Sequence, residues 1–138
     1  MQPETQSACI ACGPDHPHGL RLQFDLAADG SVSARWSPAE AWQGFRGIIH
    51  GGIVSTVLDE AMAKAVAATG TALTGELRVR FRHPVVPGEE LRIRGWIVER
   101  TRRVIRAEAV LTALDGRERA HAWSTFLPPN GKEEVFAG

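Results

Sequence analysis

In the run GIIHGGIVSTVLDEAMAK, residues 47–64, an aspartate interrupts what otherwise reads as a helix, at a position where that side chain is a poor helix former. At about 100° per residue, Val54, Val57, Leu58, Ala61, Ala65 and Ala68 form one apolar stripe, and Glu60 and Lys64 mark a solvated flank. Asp59 falls between them, on a stripe shared with Gly52, Ser55, Ala63 and Val66. Small neighbours imply that something packs closely there. The carboxylate is also about two turns from the helix start, outside the reach of the helix dipole, so it is no cap. Its ordinary role would be a structural hydrogen bond or an ion pair with an arginine of a neighbouring subunit. Its chemical role would be that of a base or a nucleophile.

The start of the same helix supplies the complementary half of a reaction. Gly51 and Gly52 present unobstructed backbone N–H groups at the positive end of a helix, where unpaired donors can hold the developing negative charge of a carbonyl under attack. A glycine pair alone fits a tight loop-to-helix turn equally well. With His50 before it and Asp59 on the Gly52 stripe, it offers both electrophile activation and a base, and the two features are expected to face one place.

These groups need a scaffold. The chain has 138 residues, 43% hydrophobic, enough for one domain over 1–138 with its own core. Leu20 to Ala27 alternates with period two and reads as a strand, followed by a turn at residues 28–30 and a second strand over 31–36. Residues 38–49 show no clear period. The helix runs from Gly51 to about Thr69, with Gly70 suited to its cap. Strand-like segments follow at 73–81, 91–100, 104–114 and 117–127, with Asp115-Gly116 marking a hairpin. Residues 1–18 read as an irregular arm and 129–138 as a loose tail. The class is α+β, one helix on an antiparallel sheet. The second sheet face carries Arg78, Arg80, Arg92, Arg94 and Trp96, a mixture that suggests partial cover by another subunit.

The run Gly47-Ile48-Ile49-His50-Gly51-Gly52 followed by Leu58-Asp59-Glu60-Ala61 resembles the signature of hotdog-fold acyl-CoA thioesterases of the phenylacetate-degradation type. RFRHPVVPG and the N-terminal CIACGPDHPHGLRLQF resemble the same family. The resemblance implies a hotdog fold, one long central helix wrapped by a curved antiparallel sheet of about five to six strands. It implies hydrolysis of an aryl- or medium-chain acyl-CoA to free acid and CoA. Asp59 would be general base or nucleophile, the Gly51 N–H would polarise the carbonyl, and His50 would help hold the carbonyl end. A hydroxyl at the start of the strand after the helix falls on Thr74, supplied by the partner in a site between subunits of a dimer or dimer of dimers. Many members carry an asparagine six residues before the histidine; here that position is Gly44, and Gln43 is the candidate to replace it.

Gly52, Trp42, Phe45, Ile53 and Met62 are candidates to contact substrate. The arginines around 100–106 suit coenzyme A phosphates, though pairing with Glu99 and Glu108 accounts for them as well. Cys9 and Cys12, with His16 and His18 behind them, crowd four ligands into ten residues without the usual second pair, so neither metal nor cofactor is expected. His83 and His121 read as structural or exposed. Zero formal net charge disfavours nucleic acid, no apolar run approaches the roughly 20 residues of a membrane span, and the N-terminus lacks a secretory pattern, so a cytoplasmic protein is expected. The alternative function is a non-catalytic acyl-CoA binding or sensing domain, against which a costly, partly buried carboxylate counts. A hydratase would need a histidine and an acid in a different arrangement.

Overall fold

The structure, a computed structural model, describes residues 7–127. The first residues of the arm, Pro128, Pro129 and the tail lie outside the described residues. The elements are β1 (Asp25–Leu26), β2 (Val32–Trp36), a single 3-10 turn at Glu40–Trp42, α1 (Gly51–Ala67), β3 (Leu73–Phe81), β4 (Leu91–Arg100), β5 (Ile105–Ala113) and β6 (Glu118–Leu127). The six strands form one antiparallel sheet in the order β1-β2-β4-β5-β6-β3, and α1 lies across one face of it. This is the hotdog arrangement that the resemblance implies.

The helix sits low because both surfaces are small. Ala61 and Ala65 face a sheet centre built from Ala107, Ala109 and Ala122, all buried, with Leu58, Met62, Ile93, Leu111 and Phe126 filling the rest. At Gly95 of β4 the approach leaves no room for a side chain: a Cβ there would lie 2.7 Å from the Ala61 carbonyl oxygen. Because the obstacle is helix backbone rather than a side-chain tip, Gly95→Ala is expected to cost about 1–3 kcal/mol, the usual range for overpacking. Urea unfolding of the variant checks this, and an unchanged midpoint would refute it.

The expected strand at 20–27 contracts to Asp25–Leu26. Its earlier backbone groups bond to the arm instead: Leu20 N–H donates to Ile10 O at 2.7 Å and Leu22 N–H to Ala11 O at 2.9 Å. Arg21, at φ 53°, breaks the extended run between them. The alternation was a burial signal, since Leu22 is in the core, but the neighbour is the arm rather than a strand. The same arm corrects the expected solvated flank of the helix, because it crosses Glu60, which is half-buried.

β3 is the sheet edge beyond β6, and its other side has no strand beside it among the described residues. Opposite Ala120, Ala122 and Ser124 of β6, whose side chains are buried, stand Phe81, Val79 and Leu77. These three therefore face the helix side of the sheet, yet Leu77 and Phe81 remain exposed. On the outer face Arg78 stacks over Trp123 at 4.7 Å, Trp123 stacks on His121 at 4.5 Å, and His121 meets Trp96 edge-on at 6.2 Å. Arg94 likewise lies over Trp96 at 5.5 Å, so part of the mixed face is stacked within one chain.

Candidate active site

The segment before α1 is tied so that one backbone donor is left over. Gln43 spends its amide on this loop: Nε2 donates to Glu40 O at 2.9 Å and Oε1 accepts from Gly47 N–H at 2.5 Å. Gly44 N–H donates to Ile48 O, Ile49 N–H to Val85 O, and His50 N–H to Trp42 O. His50 is the N-cap, and its Nδ1 accepts from Gly52 N–H at 2.8 Å. An accepting Nδ1 carries no proton, so the ring is the neutral Nε2–H tautomer and acts as a cap. The His50 carbonyl accepts from Ile53 N–H at 2.9 Å and Val54 N–H at 3.2 Å. Of the four donors that open a helix, only Gly51 N–H has no acceptor among the described residues. Gly51 is exposed and lies between two hollows. One, of about 450 Å³, is lined by Gly44, Phe45, Ile48, His50 and Gly51; the other, of about 300 Å³, by Gly51, Val54, Phe81, His83 and Pro84 among others.

Asp59, two turns further along α1, is half-buried and holds one hydrogen bond, accepting at Oδ1 from the Thr74 hydroxyl at 2.8 Å. Burial pushes its carboxyl above the ordinary value of 3.8, and the Thr74 bond partly offsets this. A β-bulge makes the contact. Simple alternation puts Thr74 on the same side as Glu76, Arg78 and Arg80, the outer face. The register shift between Thr74 and Glu76 turns Thr74 to lie opposite Phe126, on the helix side. Gly75 is the extra residue, and a Cβ there would lie 2.9 Å from the Leu127 side chain. Thr74 thus serves Asp59 of its own chain.

A correction concerns distance. Gly51, Gly52 and Asp59 lie on one helix, but the eight-residue step from Gly51 to Asp59 is about 12 Å along its axis. The stripe that Gly52 shares with Asp59 does not bring the Gly51 donor and the carboxylate together within one chain. One carbonyl cannot touch both.

The other expected residues divide. Met62 is completely buried in the core and cannot meet substrate. Ile53 and Trp42 pack against the core, and Trp42 also anchors His50 through its carbonyl. Phe45 is 84% exposed beside the larger hollow. Gln43 has both polar atoms engaged in the loop, so it positions rather than contacts. At Gly44 a Cβ would stand 3.2 Å from His50 Cα, and so the loop here excludes the family's asparagine unless His50 moves. Arg106 pairs with Glu99 at 3.1 Å, as charge pairing at the strand ends suggests. His121 is held by Glu108 and Glu118. Sequence reasoning missed Phe81, whose ring is 3.5 Å from where a Gly51 Cβ would be. Its signal was an aromatic that ends the apolar side, Leu73, Leu77, Val79 and Phe81, of the strand after the helix.

Residues 46–120, more than half of the chain, match the family model described as Thioesterase superfamily. No curated protein sequence matches the chain. Among solved structures, a thioesterase superfamily protein superposes with a TM-score of 0.81 at 24% identity, over 85% of this chain and 61% of that one, so the chain spans about three fifths of that relative's length. A thioesterase protein from Streptococcus pneumoniae TIGR4, solved with coenzyme A, gives 0.72 at 20% identity, over 77% and 84%. A phenylacetic acid degradation-related protein from Ralstonia eutropha JMP134 gives 0.74 at 24% identity, over 91% and 98%. At these identities the likeness is one of fold.

Proposed function

The chain belongs to the thioesterase superfamily, and we propose that it hydrolyses acyl-CoA thioesters, with aryl or medium-chain acyl groups, to the free acid and CoA. The observation that carries this reading is the single unpaired donor, Gly51 N–H, at the open N-terminus of α1. A thioester carbonyl oxygen seated there gains charge in the transition state against a fixed donor and the positive end of the helix. Asp59 takes a proton from water as that water adds to the carbonyl carbon, and the tetrahedral adduct then expels the CoA thiolate, which receives the proton. Direct attack by Asp59 to form an acyl anhydride is the alternative path. Label found in Asp59 after a single turnover in labelled water would identify the anhydride path, since water that adds to the Asp59 carbonyl of the anhydride leaves its oxygen in the protein.

Because Gly51 and Asp59 of one chain are about 12 Å apart, this chemistry takes Gly51 from one subunit and Asp59 from another. The edge strand supports such a pairing. The Phe81 end of β3 lies at Gly51 and the Thr74 end at Asp59. Two β3 edges paired antiparallel about a two-fold axis would bring the Gly51 end of one chain to the Asp59 end of the other and cover Leu77 and Phe81. Bound coenzyme A in the Streptococcus pneumoniae relative supports the substrate class.

A panel of aryl- and alkyl-CoA esters assayed for thiol release tests the proposal. Cleavage of at least one is expected; tight binding of all with cleavage of none would make the chain an acyl-CoA binding module. A finer prediction concerns Thr74. Its hydroxyl lowers the Asp59 pKa against the burial that raises it. Thr74→Val should therefore move the acid limb of the kcat/KM profile to higher pH, and an unmoved limb would detach Thr74 from the base.

A further inference from the structure

Two thiols in the N-terminal arm take no part in that reaction. Cys9 and Cys12 sit on a tight turn in which Cys12 N–H donates to Cys9 Sγ at 3.4 Å and Gly13 N–H donates to Cys9 O at 2.8 Å. The turn is so compact that a Cβ at Gly13 would lie 2.4 Å from both Cys9 N and Ser7 O. Its backbone bonds to Leu20 and Leu22, with Ala11 buried between, press it onto α1. There it meets Glu60. One ligand atom from each of Cys9, Cys12 and Glu60 lies within 4.8 Å of the other two, and all three residues are partly buried.

We propose that Cys9, Cys12 and Glu60 form a binding site for one thiophilic divalent cation of the zinc class, with a fourth position open to water. The sequence argued against a metal because His16 and His18 were the apparent remaining ligands and left too little loop. The fold changes the ligand set: His16 Nδ1 accepts from His18 N–H at 3.0 Å in a local turn, and the third ligand comes from the helix. Two thiolates and a carboxylate suit a borderline-soft ion and disfavour magnesium or calcium, which take oxygen ligands. Binding releases two thiol protons to solvent. Three protein ligands with one open position match a zinc site that is not closed. The ion would clamp the arm to α1 at the residue next to Asp59.

The test uses the full chain, reduced and stripped of metal, titrated anaerobically with cobalt(II) and then displaced by zinc(II). Expected are one ion per chain, a thiolate-to-cobalt charge-transfer band and the intense visible bands of a tetrahedral site, none of them elicited by magnesium. Cys9→Ser with Cys12→Ser should abolish the charge-transfer band. Glu60→Gln should keep it but weaken binding at least about tenfold, since even an outer partner of a metal ligand costs that much. Absence of the band in the reduced parent, or cobalt binding as tight in Glu60→Gln as in the parent, overturns the assignment.

Discussion

Asp59→Asn is expected to lower turnover of the best acyl-CoA ester by at least ~10²-fold, the lower end of what a general base contributes, while the fold is kept. Asparagine has nearly the same shape, and its amide oxygen can accept the Thr74 hydroxyl as Asp59 Oδ1 does at 2.8 Å. Only the charge and the basicity are lost. The stability of the variant follows with a definite sign. Burial raises the Asp59 pKa in the folded state above its ordinary 3.8. The folded protein therefore holds this proton more tightly than the unfolded chain, and the ionised carboxylate penalises folding at every pH above the raised value. That penalty is relieved as pH falls through the raised value toward 3.8. Asparagine carries no such penalty, so the variant should be at least as stable as the parent at neutral pH and lose that advantage in acid. Thiol release, with thermal melts at neutral and acid pH, checks both halves. A folded variant that turns over like the parent would remove Asp59 from the reaction.

Much of this site was legible in the residues, and the parts that were not share a physical cause. The strands from β2 to β6 and the helix fall where alternation and turn chemistry place them, because each is bounded by a local signal. Asp115-Gly116 is one such signal: the Asp115 carboxylate accepts from Arg117 N–H at 3.0 Å and Gly116 takes φ 93°. A helical projection, by contrast, discards the axial coordinate. It put Gly52 and Asp59 on one stripe correctly but said nothing of the distance that separates them. It also marked Glu60 as solvated, because the charge pattern of a helix does not reveal that an arm from elsewhere in the chain will cover it. Met62 was misplaced for the same reason, since only the packed sheet shows which side of α1 is completely buried. The bulge at Gly75 is a further case: one inserted residue reverses the face of Thr74, and a glycine in a strand suggests this without fixing the register. His50 was expected at the carbonyl end; the structure has its ring nitrogen satisfying Gly52, the step that leaves Gly51 alone unpaired.

That unpaired N–H can be removed without removing the helix. Gly51→Pro deletes the donor at the first helical position, where proline is favoured and where no other hydrogen bond is lost. The residue before a proline must be extended, and His50 at φ −57° and ψ 133° already is. A Cβ at this position would meet only the Phe81 ring, at an ordinary 3.5 Å. The expected loss in kcat is about 10²–10³-fold, the measured scale for losing one oxyanion donor. Gly51→Ala is the control, because it adds the same Cβ and keeps the N–H. Similar activities of the two variants would show that the carbonyl is not held there. The two inactive proteins then test how the site is assembled. If Gly51 of one subunit works with Asp59 of the other, a mixed dimer of Asp59→Asn and Gly51→Pro chains has one intact site and one doubly impaired site. Random exchange about a two-fold axis makes half of the dimers mixed, so unfolding and refolding the variants together should restore about a quarter of the parental activity. A site within one chain would restore none, because every chain in the mixture lacks one of the two groups.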